Sequence, residues 1–309
     1  MPSKTRLIAP RDAIILLAAL ALCLAAGAWC DLPLSQALYH PASPFGRVLA
    51  AYGQSPGALT LSAAGTLCLL SCGQGSEREH GRTATSCLFA ALGIVAHVAS
   101  LAYLIIAPVR YVDLGLAARG LIALLLAGAV SAATARLVRG VPARALRRLA
   151  CYLVFVVAAE NLLVAGLKEL WGRPRMRMLA TTPEATFQPW WSIASGQREA
   201  LVATGIPAEE FRSFPSGHTA SAACAIAIVA LPAVRPSLAR WRSRIFWLSA
   251  LVPATVACSR IIMGAHFLSD VTGGFTVTFL VILAGCWLFW RNQIPAGDEV
   301  APAQGASTA

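Results

Sequence analysis

The chain has 309 residues, 57% of them hydrophobic and 13% charged, with a formal net charge of +11. A mean hydropathy of +0.66 excludes an ordinary soluble domain. The positive charge does not signal nucleic-acid binding, because the basic residues are scattered between apolar runs and explained mostly by topology.

Apolar runs lie near 12–30, 54–72, 87–108, 115–135, 149–170, 214–234, 245–264 and 269–290. A helix of roughly 20 residues crosses a hydrocarbon core of about 30 Å, so this pattern predicts an all-α, polytopic transmembrane bundle of about eight spans. Lys4, Arg6 and Arg11 precede the first run, and Ala26-Gly27-Ala28 resembles a cleavage site, so a signal peptide is an alternative reading there. The second span is the weakest, diluted by Gly57, Ser62, Gly65 and Thr66. His97, inside the third, reads as a packed or helix-bonded histidine, whereas His40 and His80 read as solvated loop residues. Glu160 and Asn161 fall in the middle of the fifth span, where an ionisable group is expensive, and are expected to face the bundle interior.

The longest polar connection, 171–213, is expected as an outside loop or cap, with Trp171, Trp190 and Trp191 suited to the interface and Glu209-Glu210 a solvated pair. Residues from Asn292 onward, rich in Ala, Pro and Gly, have the composition of a disordered tail. The chain therefore divides into four accessory spans (1–148), a four-span catalytic core (149–291) and a cytoplasmic tail (292–309). Nine cysteines are dispersed, mostly inside apolar runs, with no CxxC pair, so they read as packing residues, and neither a metal nor another cofactor is expected.

With the N-terminus in the cytoplasm, 15 of the 25 basic residues fall in inside connections, among them five arginines in 136–148. Three polar clusters then emerge on the opposite, outer face: Lys168 to Arg175 after the fifth span, Phe214-Pro-Ser-Gly-His218 opening the sixth, and Ser259-Arg260 with His266 and Asp270 around the seventh and eighth. Lys168, Arg175 and Arg260 suit a phosphoryl group, since guanidinium grips phosphate in a bidentate fork and lysine adds a point charge. Ser216 and Gly217 lie at a helix start, where free N–H groups favour an anion. A neutral His266 can attack phosphorus, Asp270 one turn on can hold its far nitrogen, and His218 can protonate a leaving alkoxide. Arg177 and Arg212 are candidates for contact with an anionic head group or membrane lipid.

These clusters resemble the three motifs of the type 2 phosphatidic acid phosphatase superfamily, KxxxxxxRP, PSGH and SRxxxxxHxxxD. The second and third stand at full spacing in Pro215-Ser216-Gly217-His218 and in Ser259-Arg260, His266 and Asp270. In the first, Lys168 and Arg175 have the right separation, but Met176 replaces the proline, and Arg173-Pro174 comes two residues early, which makes Arg173 a competitor for the arginine position. The resemblance implies a metal-independent lipid phosphatase of the plasma membrane, working at its outer face through a phosphohistidine. His266 is then the nucleophile, His218 the acid and Asp270 the orienting carboxylate, with Lys168, Arg175, Ser216, Gly217 and Arg260 as the phosphate cradle. Two alternatives are a phosphotransferase that hands the phosphate to an acceptor alcohol, and a transporter of a phosphorylated lipid anion.

Overall fold

The computed structural model describes residues 7–73, 80–193 and 196–291, so the tail from residue 292 lies outside the described residues. Its helices are α1 (Pro10–Leu38), α2 (Pro44–Tyr52), α3 (Ser55–Cys72), α4 (His80–Ile106), α5 (Leu116–Leu137), α6 (Ala143–Trp171), α7 (Met176–Leu179), α8 (Gln197–Ala203), α9 (Gly217–Ala223), α10 (Arg242–Ile262) and α11 (Leu268–Trp290). Among the described residues there is no strand. The protein is thus an all-α bundle, and seven helical segments among the described residues are long and apolar enough to cross a membrane.

The sixth predicted span, Gly217–Ala233, is shorter than these seven. Its first 7 residues are α-helical and the following 10, Cys224–Ala233, form a 3₁₀ helix. At rises of 1.5 and 2.0 Å per residue the two stretches together reach about 30 Å, so the tighter winding brings a short segment to membrane length.

Large apolar side chains such as Ile94, Val95 and Val98 on α4, Leu121, Leu124 and Leu125 on α5, and Leu248 and Leu251 on α10 are exposed on the outside of the bundle. Lipid is the natural solvent for such a surface. Inside, α6 meets α11 around Tyr152, Phe246, Phe279 and Ile282, all fully buried. The diluted second span turns out to be a central helix, because its small polar residues make helix contacts. Ser62 and Ser100 share a 2.7 Å hydrogen bond between α3 and α4. His97 donates to the Gly93 carbonyl at 2.9 Å and lies 3.3 Å from Ser131 on α5.

The 171–213 connection folds into a cap. Phe211, Met178 and Leu201 form an apolar cluster within it. Trp171 donates to the Trp190 carbonyl, and both indoles pack on Phe214, with ring centroids 4.9 and 6.3 Å away. Only Trp191 of the three tryptophans is exposed.

Where α11 crosses the Pro215–His218 turn, the backbones nearly touch. A Cβ on Gly274 would stand 2.3 Å from the Ser216 carbonyl oxygen, so no larger residue fits without separating the two elements. We expect Gly274→Ala to cost about 1–3 kcal/mol, the usual penalty for overpacking. The check is a lower melting temperature of the purified protein in detergent, beside an unchanged one for Gly128→Ala, where a Cβ meets open space.

Candidate active site

α6 ends at Trp171 and carries Lys168 on its last turn, α9 begins with Gly217 and His218, α10 carries Arg260 on its last turn, and His266 lies in the turn before α11. These segments meet at one end of the bundle around a cavity of about 500 Å³ lined by Lys168, Arg175, Gly217, His218 and His266, together with Gln54 and Tyr111. A second space of about 420 Å³ shares Gln54, Tyr103, Lys168 and Gly217 with it and runs between α3, α4 and α6 past Glu160. Glu160 is buried, as its position predicts, but Asn161 is exposed and donates to the Glu160 carboxylate at 2.9 Å.

His266 is 1% exposed. Its Nδ1 donates to the Ser213 carbonyl oxygen at 2.7 Å. A carbonyl can only accept, so the proton is on Nδ1 and Nε2 keeps its lone pair. Burial, and after it the positive charges of Arg175, Lys168 and Arg260, hold the imidazole well below the ordinary histidine value, so it is neutral at pH 7. Both features suit a nucleophile.

Asp270 does not hold His266 directly. Its Oδ2 is 3.9 Å from Nδ1, and it accepts instead from the Ser213 hydroxyl at 2.5 Å and the Phe267 N–H at 2.7 Å. The carboxylate therefore fixes the segment whose carbonyl orients the histidine. Sequence spacing places Asp270 one turn from His266 but gives no sign of Ser213.

The two candidate arginines separate cleanly. Arg173 is fully buried behind the site, bonded to Asp31 at 2.9 Å and Asp270 at 2.5 Å, and donates to Ser269 and to the Gln188 carbonyl. Arg175 lines the cavity, with Glu209 accepting from its Nη2 at 2.7 Å. Arg175, chosen by spacing, is the one that a ligand can reach. Asp31 was legible only as a lone carboxylate at the edge of an apolar run, since α1 continues past it to Leu38.

Glu209 and Glu210 are not a free solvated pair. Glu209 also approaches Arg212, and Glu210 takes both Nε and Nη2 of Arg177, at 2.9 and 2.5 Å. Arg212 pairs in addition with Glu169. Among the described residues, Lys168 and Arg260 have no carboxylate partner. Lys168 donates to the Arg212 carbonyl at 2.6 Å. Arg260, 1% exposed, leaves Nε and Nη1 buried without any hydrogen-bond partner, beside the Tyr111 ring at 5.7 Å. Ser216 looks inward: its hydroxyl accepts from Thr219 and its N–H is donated to the Asp270 carbonyl at 2.8 Å. It shapes the turn, whereas Gly217 faces the cavity.

Residues 149–294 match the PAP2 superfamily. A stretch of 71 residues, 22% of this chain, is 35% identical to phosphatidylglycerophosphatase B of Bacillus subtilis (strain 168) and covers 35% of that protein, so the chain spans about a third of the length of this curated relative. No solved structure matches the chain.

Removing Arg173 would strand two buried carboxylates, at a cost of about 3–5 kcal/mol. We expect Arg173→Met to abolish monodisperse folded protein in size-exclusion chromatography, while Arg175→Met, whose partner Glu209 is half-exposed, keeps the wild-type elution.

Proposed function

From the premise that residues 149–294 are a PAP2 superfamily domain, we propose that the protein hydrolyses a lipid phosphate or pyrophosphate through a phosphohistidine intermediate at the outer membrane face, without a metal. One observation carries this reading: Arg260 holds two buried N–H donors with no partner. Leaving a buried charged donor unsatisfied is costly, and a phosphoryl group in the adjoining cavity would supply the missing acceptors. A location at the outer face rests on the Lys/Arg-rich connections at the opposite ends of the spans.

In the first step the Nε2 lone pair of His266 forms a bond to phosphorus as the P–O bond to the lipid breaks, and His218 delivers its proton to the leaving oxygen. Positive charge develops on His266, whose Nδ1–H is held by the Ser213 carbonyl in a segment fixed by Asp270. In the second step water attacks phosphorus, His218 takes the water proton, and the N–P bond breaks to release inorganic phosphate. Lys168, Arg175 and Arg260 stabilise the charge that builds on the phosphoryl oxygens, and Gly217 lets the α9 backbone come close to them. The similarity to phosphatidylglycerophosphatase B makes phosphatidylglycerol phosphate the first substrate to offer.

The test is phosphate release from a panel of lipid phosphates by purified wild type and His266→Ala, with EDTA present. Wild type should turn over in EDTA, and a rapid quench should trap acid-labile, base-stable phosphate on the protein. His266→Ala should keep its melting temperature and lose turnover by at least about 10³-fold. Full activity in that variant would remove His266 as nucleophile, and activity that depends wholly on an added divalent ion would replace the scheme with metal-assisted hydrolysis.

A further inference from the structure

The histidine that delivers the proton is gripped by a part of the chain outside the matched domain. His218 Nε2 is 3.1 Å from the carbonyl oxygen of Ala50 on α2, and its Nδ1 is 2.7 Å from the side-chain amide nitrogen of Gln54, just before α3. Tyr111 meets the same ring edge-on, with centroids 6.0 Å apart. The grip is itself braced. Ser221, on the α9 face with His218, donates to the Gln54 carbonyl at 2.9 Å, and a Cβ on Gly57 would stand 2.3 Å from the Ser221 hydroxyl, so α3 lies as close to α9 as a backbone can.

Resting on the general-acid role given to His218 above, we infer that Gln54 is a positioning residue for the catalytic proton donor, holding Nδ1 so that Nε2–H is aimed into the cavity. The Ala50 carbonyl can only accept, so Nε2 carries a proton, and in the neutral ring Nδ1 accepts from the Gln54 amide. When the ring is doubly protonated, the same amide turned over presents its oxygen to Nδ1–H. In the acid–base cycle Nε2 gives up and takes back its proton while Nδ1 keeps its own, so the amide oxygen of Gln54 can hold the ring through the whole cycle, and the amide nitrogen serves the resting tautomer. Ala50, Gln54 and His218 all line the cavity. A leaving oxygen that enters it can take the place of the Ala50 carbonyl as acceptor of Nε2–H, while Gln54 keeps the ring from turning.

A group that serves only the proton donor matters in proportion to how badly the leaving group needs a proton. An alkoxide leaves poorly without one and an aryl oxide such as p-nitrophenolate leaves readily. The experiment compares kcat/KM for a diacylglycerol phosphate in mixed micelles with kcat/KM for p-nitrophenyl phosphate, in wild type, Gln54→Met, Gln54→Glu and His218→Gln. His218→Gln should lower the alkyl-to-aryl ratio by about 100-fold or more, the ordinary worth of a general acid. Gln54→Met, close in volume but without hydrogen bonds, should lower the same ratio by about 10-fold, and Gln54→Glu, which keeps an acceptor for the protonated ring, should recover part of it.

An equal loss on both substrates in Gln54→Met, or no loss, while His218→Gln shifts the ratio, would overturn the inference and leave the general acid standing. An unchanged ratio in His218→Gln would sink the general-acid reading and this inference with it. Should the methionine variant not fold, Gln54→Leu, which also lacks hydrogen bonds, decides in its place: a ratio within about threefold of wild type overturns the assignment, and a larger loss confined to the alkyl substrate supports it.

Discussion

The arrangement of the site depends on one buried cation. Arg173 is enclosed by protein, with Asp31 of α1 on one side, Asp270 of α11 on the other, and the rings of Phe187 and Phe267 at 5.4 and 4.5 Å from its guanidinium carbon. Taking three charges out of water costs several kcal/mol each, and such a cluster persists only where the geometry satisfies nearly every donor and acceptor. Here Nε, Nη1 and Nη2 all donate, and Ser269 adds its N–H and hydroxyl to Asp31 at 2.9 and 2.5 Å. What the network fixes is position more than stability. Asp270 holds Ser213, the Ser213 carbonyl holds His266, and the tautomer that leaves Nε2 free follows from that last bond.

This explains which parts of the site could be read from sequence. Residues whose own chemistry meets the ligand announce themselves by type and spacing, and Lys168, Arg175, His218 and His266 do come together around one cavity. Those that act through another group do not. Ser213 contributes a backbone carbonyl, which every residue has, and Gln54 is an ordinary polar residue at the edge of a diluted span. Spacing favours Arg175 while the Arg-Pro pair favours Arg173, and the partner that marks Arg173 as structural, Asp31, lies more than a hundred residues away in sequence. Hydropathy is lowest in the second span for a related reason. Gly57, Ser62, Gly65 and Thr66 lower its score, yet in a bundle without water such small residues let helices approach and bond, and they mark contact faces.

Charge accounting separates structural from ligand-directed cations. Arg173, Arg175, Arg177 and Arg212 each have a carboxylate, and Glu209 and Glu210 serve Arg175 and Arg177, which line the cavity. Of the cations that the motifs supply, Lys168 on α6 and Arg260 on α10 have no carboxylate partner among the described residues. A site whose positive charge is partly paired beforehand holds its side chains in place through their partners, and its field is left to the unpaired groups. Electrostatic preorganisation needs both parts, since a fully compensated cluster attracts no anion and a fully uncompensated one repels itself apart.

The helices before residue 149 are built into this arrangement. Asp31 on α1 pairs with Arg173, Ala50 and Gln54 bracket His218, and the Tyr111 ring meets both His218 and Arg260. The contacts of Asp31, Ala50 and Gln54 complete groups that the region 149–294 buries: a guanidinium and the two ring nitrogens of an imidazole. The region 149–294 by itself would therefore hold a buried arginine short of one carboxylate and an imidazole without partners for its ring nitrogens. The N-terminal helices supply the two constraints that turn a set of reactive residues into an oriented one.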